Sequence, residues 1–386
     1  MLIKNGSVFT KEFKFEEMDL VSKDKKTDAL LSRGSTTSEQ DTYDASGCYD
    51  ASGCYIIPGL TDIHFHGCVG HDFCDGSKEA IHEMAKYELK NGVTTICPAT
   101  MTLAEFMLHS ICTTAADYIN HPVSDQEAKL CGINMEGPFI SLAKKGAQNP
   151  AFITTPDSAM FHRLQESANG LIKLVAIAPE EDNALAVIDD LKDDVVLSIA
   201  HTTADYETSS TALRHGASHV THLYNAMPPF SHRDPGVVGA AFDAKHCNVE
   251  LITDGIHISP SMVRATFQLF GDERVILVSD SMMATGMEDG KYSLGGLDVY
   301  VTGNKATLKD GTIAGSATNL MDCMRTAVSM GIPLESAVRA ATYNPAKAIG
   351  IDVNYGTIEP GKVANYVILN KDLSIKNVIL NGSVVI

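Results

Sequence analysis

The chain lacks a basic surplus. Its 30 Lys and Arg stand against 48 Asp and Glu, a formal net charge of −18, and no basic stripe offsets the repulsion that a nucleic acid or an anionic membrane would meet. An anionic small molecule is not excluded, because a few local cations suffice to hold one. The nine cysteines are an odd number with no C-x-x-C pair among them, which suits reduced thiols in a cytoplasm better than a disulfide framework. No run of about 18 apolar residues is present, so no membrane span is expected. The first residues, MLIKNGSVFTKEF, contain no apolar h-region, so no signal peptide is expected. A G-x-S-x-G elbow is also missing, which argues against acyl-enzyme chemistry on serine.

What the chain does carry is an alternation. At 386 residues it is long enough for two domains, or one large domain with an appendage. Eight compact apolar runs are candidate strands: IIPGLTDIHFHG, VTTICPAT, KLCGINMEGPF, LIKLVAIAPE, VVLSIAHT, SHVTHLYNAM, VELITDGIH and VILVSDSM. Runs of that kind suit parallel strands covered on both faces. Helical signals lie between them. SKEAIHEMAKYELKNG has Ile81, Met84 and Tyr87 at helical spacing and Gly92 as a C-terminal stop. TLAEFMLHSICTTAADYI opens with a candidate capping box, Thr102 with Glu105. Eight strands alternating with helices predict an α/β fold of the (β/α)8, TIM-like barrel type, whose usual length is about 250 residues. A doubly wound open sheet is the alternative, but its Gly-rich phosphate loop is missing.

The ends differ from the middle. Residues 1–55, with a polar, aperiodic stretch over 22–45, and residues 350–386 read as short strands, and are expected to meet as a small β-sandwich domain beside a barrel over 56–349. The segment 291–315 alternates apolar and polar residues between Gly turns, a hairpin signal and a candidate addition to that small domain. Helices are expected over 318–330 and 333–348. DASGCY occurs twice in tandem, at 44–49 and 50–55, and reads as a duplication tolerated in a surface loop.

Polar residues collect where the candidate strands end, the face on which barrel enzymes keep their active sites. His64 and His66 end the first strand, Glu136 the third, His201 the fifth, His222 the sixth and Asp280 the eighth. Strand alternation would turn this set toward the barrel axis, with Ile63, Phe65, Met135, Ala200, Thr221 and Ser279 facing the helices and Asp62 one layer below His64. A single inward histidine reads as well as a hydrogen-bonded core residue. Four histidines and two carboxylates at like ends of five strands read together as a metal site. Imidazole with carboxylate suits Zn²⁺, and also Fe²⁺, Co²⁺ or Mn²⁺. A divalent ion brings the pKa of water down to ~7, and Asp280 can take up the proton, so metal-assisted hydrolysis is the expected reaction class.

The motifs resemble those of the amidohydrolase superfamily, and within it the N-acetylglucosamine-6-phosphate deacetylase family. Superfamily marks are PGLTDIHFHG, His201, His222, Asp280 and the tail NPAKAIGI…GTIEPGKVANYVIL; family marks are MEGPFIS, KKGAQNP, AHTTADY, THLYNAMPPF, RDPGVVGAAF, TDGIHIS and SDSMMATGMEDGKYSLGG. The resemblance implies hydrolysis of the acetamide of N-acetyl-D-glucosamine 6-phosphate. It implies one divalent metal on Glu136, His201 and His222, a second on His64 and His66 that only some members hold, and Asp280 as general base and acid. It implies that Asn225, Ala226, Arg233 and His257 bind the sugar phosphate, Arg233 reaching the neighbouring active site of a homodimer. Read by themselves, Arg233 also suits a surface ion pair with Asp234, His257 a structural role, and Asn225 a helix cap. Two positions depart from the family. Gln148 stands in KKGAQNP where some members carry histidine near the substrate carbonyl; its amide still donates a hydrogen bond but carries no charge. Ala364, Asn365 and Tyr366 replace a usual Ala-Asp-Phe in the tail. Other readings are an amidohydrolase acting on a cyclic amide or deaminating a heterocycle, and a barrel without catalysis; the complete ligand set argues against the last.

Overall fold

The computed structural model describes residues 1–32 and 48–386. At its centre is a ring of eight short parallel strands, Leu60–Asp62, Val93–Ile96, Ile133–Met135, Ile172–Ile177, Val196–Ile199, His219–Val220, Asn248–Ile252 and Val275–Val278, taken below as the first to eighth barrel strands. The third to eighth pair in sequence order as one parallel sheet, and the first and second pair in another. A parallel bridge between Ala99 and Asn134 joins the two sheets. The other seam is drawn together by Asp280 N–H donating to His64 O at 2.9 Å and by Ser279 Oγ–H donating to Asp62 Oδ2 at 2.5 Å.

Burial on both faces explains why these strands are apolar throughout. Val175, Ile177, Leu197, Ile199, Leu251 and Leu277 pack in one large cluster with the helices. The intervening Leu174, Ile252, Ile276 and Val278 form a separate cluster with Ile63 and Ile349, which fills the lower barrel. The helix Tyr343–Ala348 closes the floor: Asn344 Nδ2 donates to Val275 O at 2.7 Å, at the N-terminal start of the eighth strand. Phe65 and Met135 do lie with the helices. Ile63 does not: the first strand ends at Asp62 and alternation stops with it, and Asp62 itself accepts from His64 N–H at 3.2 Å as well as from Ser279.

Of the two helix starts expected from sequence, one differs. The helix Lys78–Lys90 is capped by the Ser77 side chain, which accepts from Ala80 N–H, and its chain turns at Gly92 with φ +80°. The helix Glu105–Asn120 follows Ala104 and has no side-chain cap. Thr102 is fully buried in the loop after the second strand, and its hydroxyl has no hydrogen-bond partner.

Both chain ends enter one mixed eight-stranded sheet. Its order is Ser383–Val384, Ile375–Leu380, Tyr366–Leu369, Tyr55–Pro58, Leu2–Phe9, Phe15–Lys23 and Lys26–Ser32, with Cys48–Asp50 pairing Leu2–Phe9. Ile3, Val8, Leu20, Ile56, Tyr366, Ile368 and Ile379 give it an apolar cluster of its own. Lys26–Ser32 is a strand despite its lack of periodicity, held by antiparallel pairing with Phe15–Lys23. The run read as one strand, IIPGLTDIHFHG, divides at Pro58–Gly59 between this sheet and the barrel. Gly59 permits the crossing, since a Cβ there would lie 2.1 Å from Thr94 Oγ1. Gly290–Leu294, Leu297–Thr302 and Lys305–Thr307 form a three-stranded antiparallel sheet of their own, joined to neither. The expected helices are Leu320–Ser329, Leu334–Ala341 and Tyr343–Ala348. Most of the first DASGCY copy lies outside the described residues; in the second, Gly53 takes φ +75° in a turn between two strands of the terminal sheet.

Candidate active site

Six side chains converge at the C-terminal ends of the barrel strands, and three reach the centre through strained backbone. The fifth, sixth and eighth strands stop at Ile199, Val220 and Val278, two residues short of His201, His222 and Asp280. Those three residues adopt left-handed conformations, with φ of 43°, 30° and 48°. Such conformations cost of order 1–3 kcal/mol each for a residue with a Cβ. The backbone turn, not strand alternation, aims them. Thr221 was expected to face the helices, yet its Oγ1 lies 2.5 Å from Ser198 Oγ inside the barrel.

Glu136 is the hub. Its Oε1 lies 3.1 Å from both His201 Nε2 and His222 Nε2 and 3.4 Å from His64 Nε2. Its Oε2 lies 3.2 Å from His66 Nε2 and accepts from Gln148 Nε2 at 2.7 Å. Asp280 Oδ1 stands 3.3 Å from His66 Nε2 and 3.7 Å from His64 Nε2. The donor atoms fall into two groups able to hold a metal ion, one of Glu136, His201 and His222 and one of His64, His66 and Asp280, all buried.

The hydrogen bonds outside the groups fix where two protons sit. His201 Nδ1 is 2.9 Å from Lys144 O, which can only accept, so the ring donates there and presents an Nε2 lone pair to Glu136. His64 Nδ1 lies 2.7 Å from Glu250 Oε2, so its Nε2, which has no hydrogen-bond partner, likewise points a lone pair inward. Imidazole lone pairs facing carboxylate oxygens do not satisfy one another; they suit a cation, and rings oriented by a carboxylate or carbonyl behind them are the usual arrangement of metal-ligating histidines. Without a cation between them, the same carboxylates draw protons onto the rings instead. Burial disfavours protonation of His66, but Asp280 and Glu136 outweigh it and push its pKa up to about 10. Burial would raise Asp280, but its bond to His66 and the charge of His64 hold it below the ordinary carboxylate value.

A cavity of about 350 Å³ opens over these groups. Of the residues singled out from sequence, His66, Glu136, Gln148, His201, His222, Asn225, Ala226, His257 and Asp280 line it. His64 is fully buried beneath. Arg233 is not brought in: it is exposed, outside the lining, and makes no ion pair with Asp234 among the described residues. Among the described residues Lys144 is the one lysine or arginine lining the cavity. His257 Nδ1 is 2.7 Å from Asp254 Oδ2. Burial opposes its charge, but the Asp254 carboxylate raises its pKa above the ordinary value. Tyr224 and Ala226, at φ of 77° and 53°, bend the loop that carries Asn225.

Sequence reasoning missed Glu250, Asp254 and Lys144. Glu250 was detectable as the lone charge in the apolar run NVELI. Lys144 acts on His201 through its carbonyl, which no side-chain pattern records.

Residues 55–385 match the model of the Amidohydrolase family. The chain is 36% identical over 360 residues to the N-acetylglucosamine-6-phosphate deacetylase of Bacillus subtilis (strain 168), covering 92% of this chain and 91% of that protein. It is 30% identical over 329 residues to the N-acetylgalactosamine-6-phosphate deacetylase of Escherichia coli O157:H7, covering 85% and 86%. Among solved structures, a mutant N-acetyl-D-glucosamine-6-phosphate deacetylase from Mycobacterium smegmatis in complex with N-acetyl-D-glucosamine-6-phosphate superposes with a TM-score of 0.91 at 31% identity, covering 100% of this chain and 98% of that one.

Proposed function

Because the chain belongs to the amidohydrolase family, we propose that it hydrolyses N-acetyl-D-glucosamine 6-phosphate to D-glucosamine 6-phosphate and acetate, a step of amino-sugar breakdown. The observation that carries this reading is the cavity itself: two groups able to hold a metal ion, one of them including Asp280, lie at its base, while Lys144 and the charged His257 supply cations for a phosphate in an otherwise acidic protein.

Glu136, His201 and His222 would hold one divalent ion, and His64 and His66, with Asp280 close by, a second; zinc is the foremost candidate, with iron, cobalt or manganese also suited to the donor set. The chemistry a divalent ion would supply there is polarisation of the acetamide carbonyl and a water acidified toward a pKa of ~7. The chain's own residues do the rest. Asp280, held ionised, takes a proton from the attacking water as its oxygen bonds to the carbonyl carbon. It then returns that proton to the amide nitrogen as the C–N bond breaks, releasing the amine and acetate. Asn225 offers both a donor and an acceptor to sugar hydroxyls, and the bent backbone at Ala226 and the His257 ring face the phosphate end.

Arg233, exposed on its loop, is suited to reach the neighbouring active site of a homodimer, where its planar fork would grip the phosphate. No helix among the described residues is long and apolar enough to cross a membrane, and we place the enzyme in the cytoplasm. We also read the terminal sheet as part of a small β-sandwich domain built from 1–55 and 350–386 beside a barrel over 56–349; its separate apolar cluster supports this.

The test is acetate release by the purified, metal-replete protein, assayed in parallel on N-acetylglucosamine 6-phosphate, its galacto epimer and unphosphorylated N-acetylglucosamine. The first is expected to be turned over fastest. No acetate from any of them would refute the assignment.

A further inference from the structure

We infer that Gln148 is a positioning residue: it fixes how the Glu136 carboxylate is divided between the two histidine groups, and so sets how tightly the site holds a divalent cation. From sequence its amide was assigned to the substrate carbonyl. In the fold its acceptor and a donor are already engaged. Gln148 Oε1 accepts the Thr102 backbone N–H at 2.7 Å, and Gln148 Nε2 donates to Glu136 Oε2 at 2.7 Å.

These two partners determine the sense of the amide. A backbone N–H only donates and an ionised carboxylate only accepts, so a flipped amide would set donor against donor and acceptor against acceptor. The residue is 2% exposed, so a mismatch would leave buried polar groups unpaired. The anchor is itself built in. Thr102 comes against the third strand because residue 137 is glycine; a Cβ there would lie 2.1 Å from Thr102 Oγ1.

What the amide holds is a soft torsion. The terminal rotation of a glutamate is broad, and here it decides which oxygen meets which ring. With Oε2 held by Gln148 and beside His66, Oε1 is left 3.1 Å from both His201 Nε2 and His222 Nε2. Among the described residues Gln148 is the non-titrating side chain that donates to this carboxylate. Loss of the donor frees the carboxylate to rotate away from the His201–His222 pair.

The experiment is a calorimetric titration of the metal-free protein with Zn²⁺, without substrate. Gln148→Leu is expected to bind 10–100-fold more weakly, the usual consequence of removing a partner of a metal ligand. Gln148→His, which retains an N–H donor, is expected to recover affinity to within a few-fold. Equal thermal melting of the metal-free proteins checks that the variant is folded. If Gln148→Leu does not fold, Gln148→Ala, with room for a water at Thr102 N–H, is measured in its place. Wild-type affinity in the folded variant overturns the inference. So does a raised KM with unchanged zinc affinity, which would return Gln148 to substrate contact. The inference rests on Glu136 being a metal ligand. If the wild-type protein binds no zinc, that underlying reading fails; if wild type and variant bind alike, only the role of Gln148 fails.

Discussion

Replacing Glu250 by glutamine exchanges an oxygen for an amino group and is expected to disturb three contacts at once. The carboxylate is fully buried. Its Oε2 accepts from His64 Nδ1 at 2.7 Å and from His222 N–H at 3.1 Å, and its Oε1 lies 3.1 Å from His219 Nε2. Burial works against the charge, but His64 and His219 outweigh it and hold the carboxyl well below the usual range. Hydrogen bonds to a charged group contribute about 1.5–3 kcal/mol each, and glutamine keeps an acceptor on one side only. Relief of the buried charge returns part of the loss. The net destabilisation is therefore about 2–4 kcal/mol, read as a lowered urea midpoint of the metal-free protein with unchanged m-value. The sign with pH follows from the depressed pKa. The contribution is present above the ordinary carboxyl value of 4.5 and is lost as pH falls below it, so the gap between wild type and variant narrows in acid. A second readout separates packing from chemistry. If the amide donates to His64 Nδ1, the His64 proton moves to Nε2 and the inward lone pair is lost, so the variant should bind fewer ions. A variant with wild-type midpoint and wild-type metal content would refute this account of Glu250.

Asp280→Asn is expected to keep the ion held by Glu136, His201 and His222 but to lower turnover 10²–10⁴-fold, the usual worth of a general acid–base; near-normal acetate release would remove Asp280 from the mechanism. Asp254→Asn takes away the carboxylate that keeps His257 charged, leaving burial to depress its pKa. In wild type the charge persists as pH rises past the ordinary histidine value of 6.5; in the variant KM for the sugar phosphate should climb below that pH, and parallel KM profiles would refute the pairing. Arg233→Ala should raise KM for the phosphorylated substrate and leave the unphosphorylated sugar unaffected. Mixing it with the nearly inactive Asp280→Asn should lower that KM toward the wild-type value, since one site then combines the Asp280 of one subunit with the Arg233 of its neighbour; an unchanged KM would place Arg233 outside a shared site.

How far the sequence carries depends on whether the cause is local. The barrel strands were legible because parallel strands covered on both faces must be apolar throughout, and their ends were legible because polar residues interrupt those runs. The converging set, His64, His66, Glu136, His201, His222 and Asp280, followed from that. The aim of each side chain did not. Alternation holds only while a strand lasts, and the strands stop two residues before His201, His222 and Asp280, whose left-handed backbones are imposed by surrounding contacts. Pairings across long separations were equally hidden. Gln148 looks like a free amide until Thr102 is set against it, and Thr102 looks like a helix cap until Gly137 shows how closely the third strand passes. Both pairings were hidden for one reason: a polar side chain near a helix start or in a loop has a local reading that is cheap in water, and burial demands partners that only the closed barrel supplies. Glu250 is the complementary case. A charge in the middle of a buried strand has no local reading at all, so it signals a partner without naming it, and the partners are His64, His219 and the backbone of His222. The strained and buried polar positions are therefore where local rules fail and also where the chemistry is held.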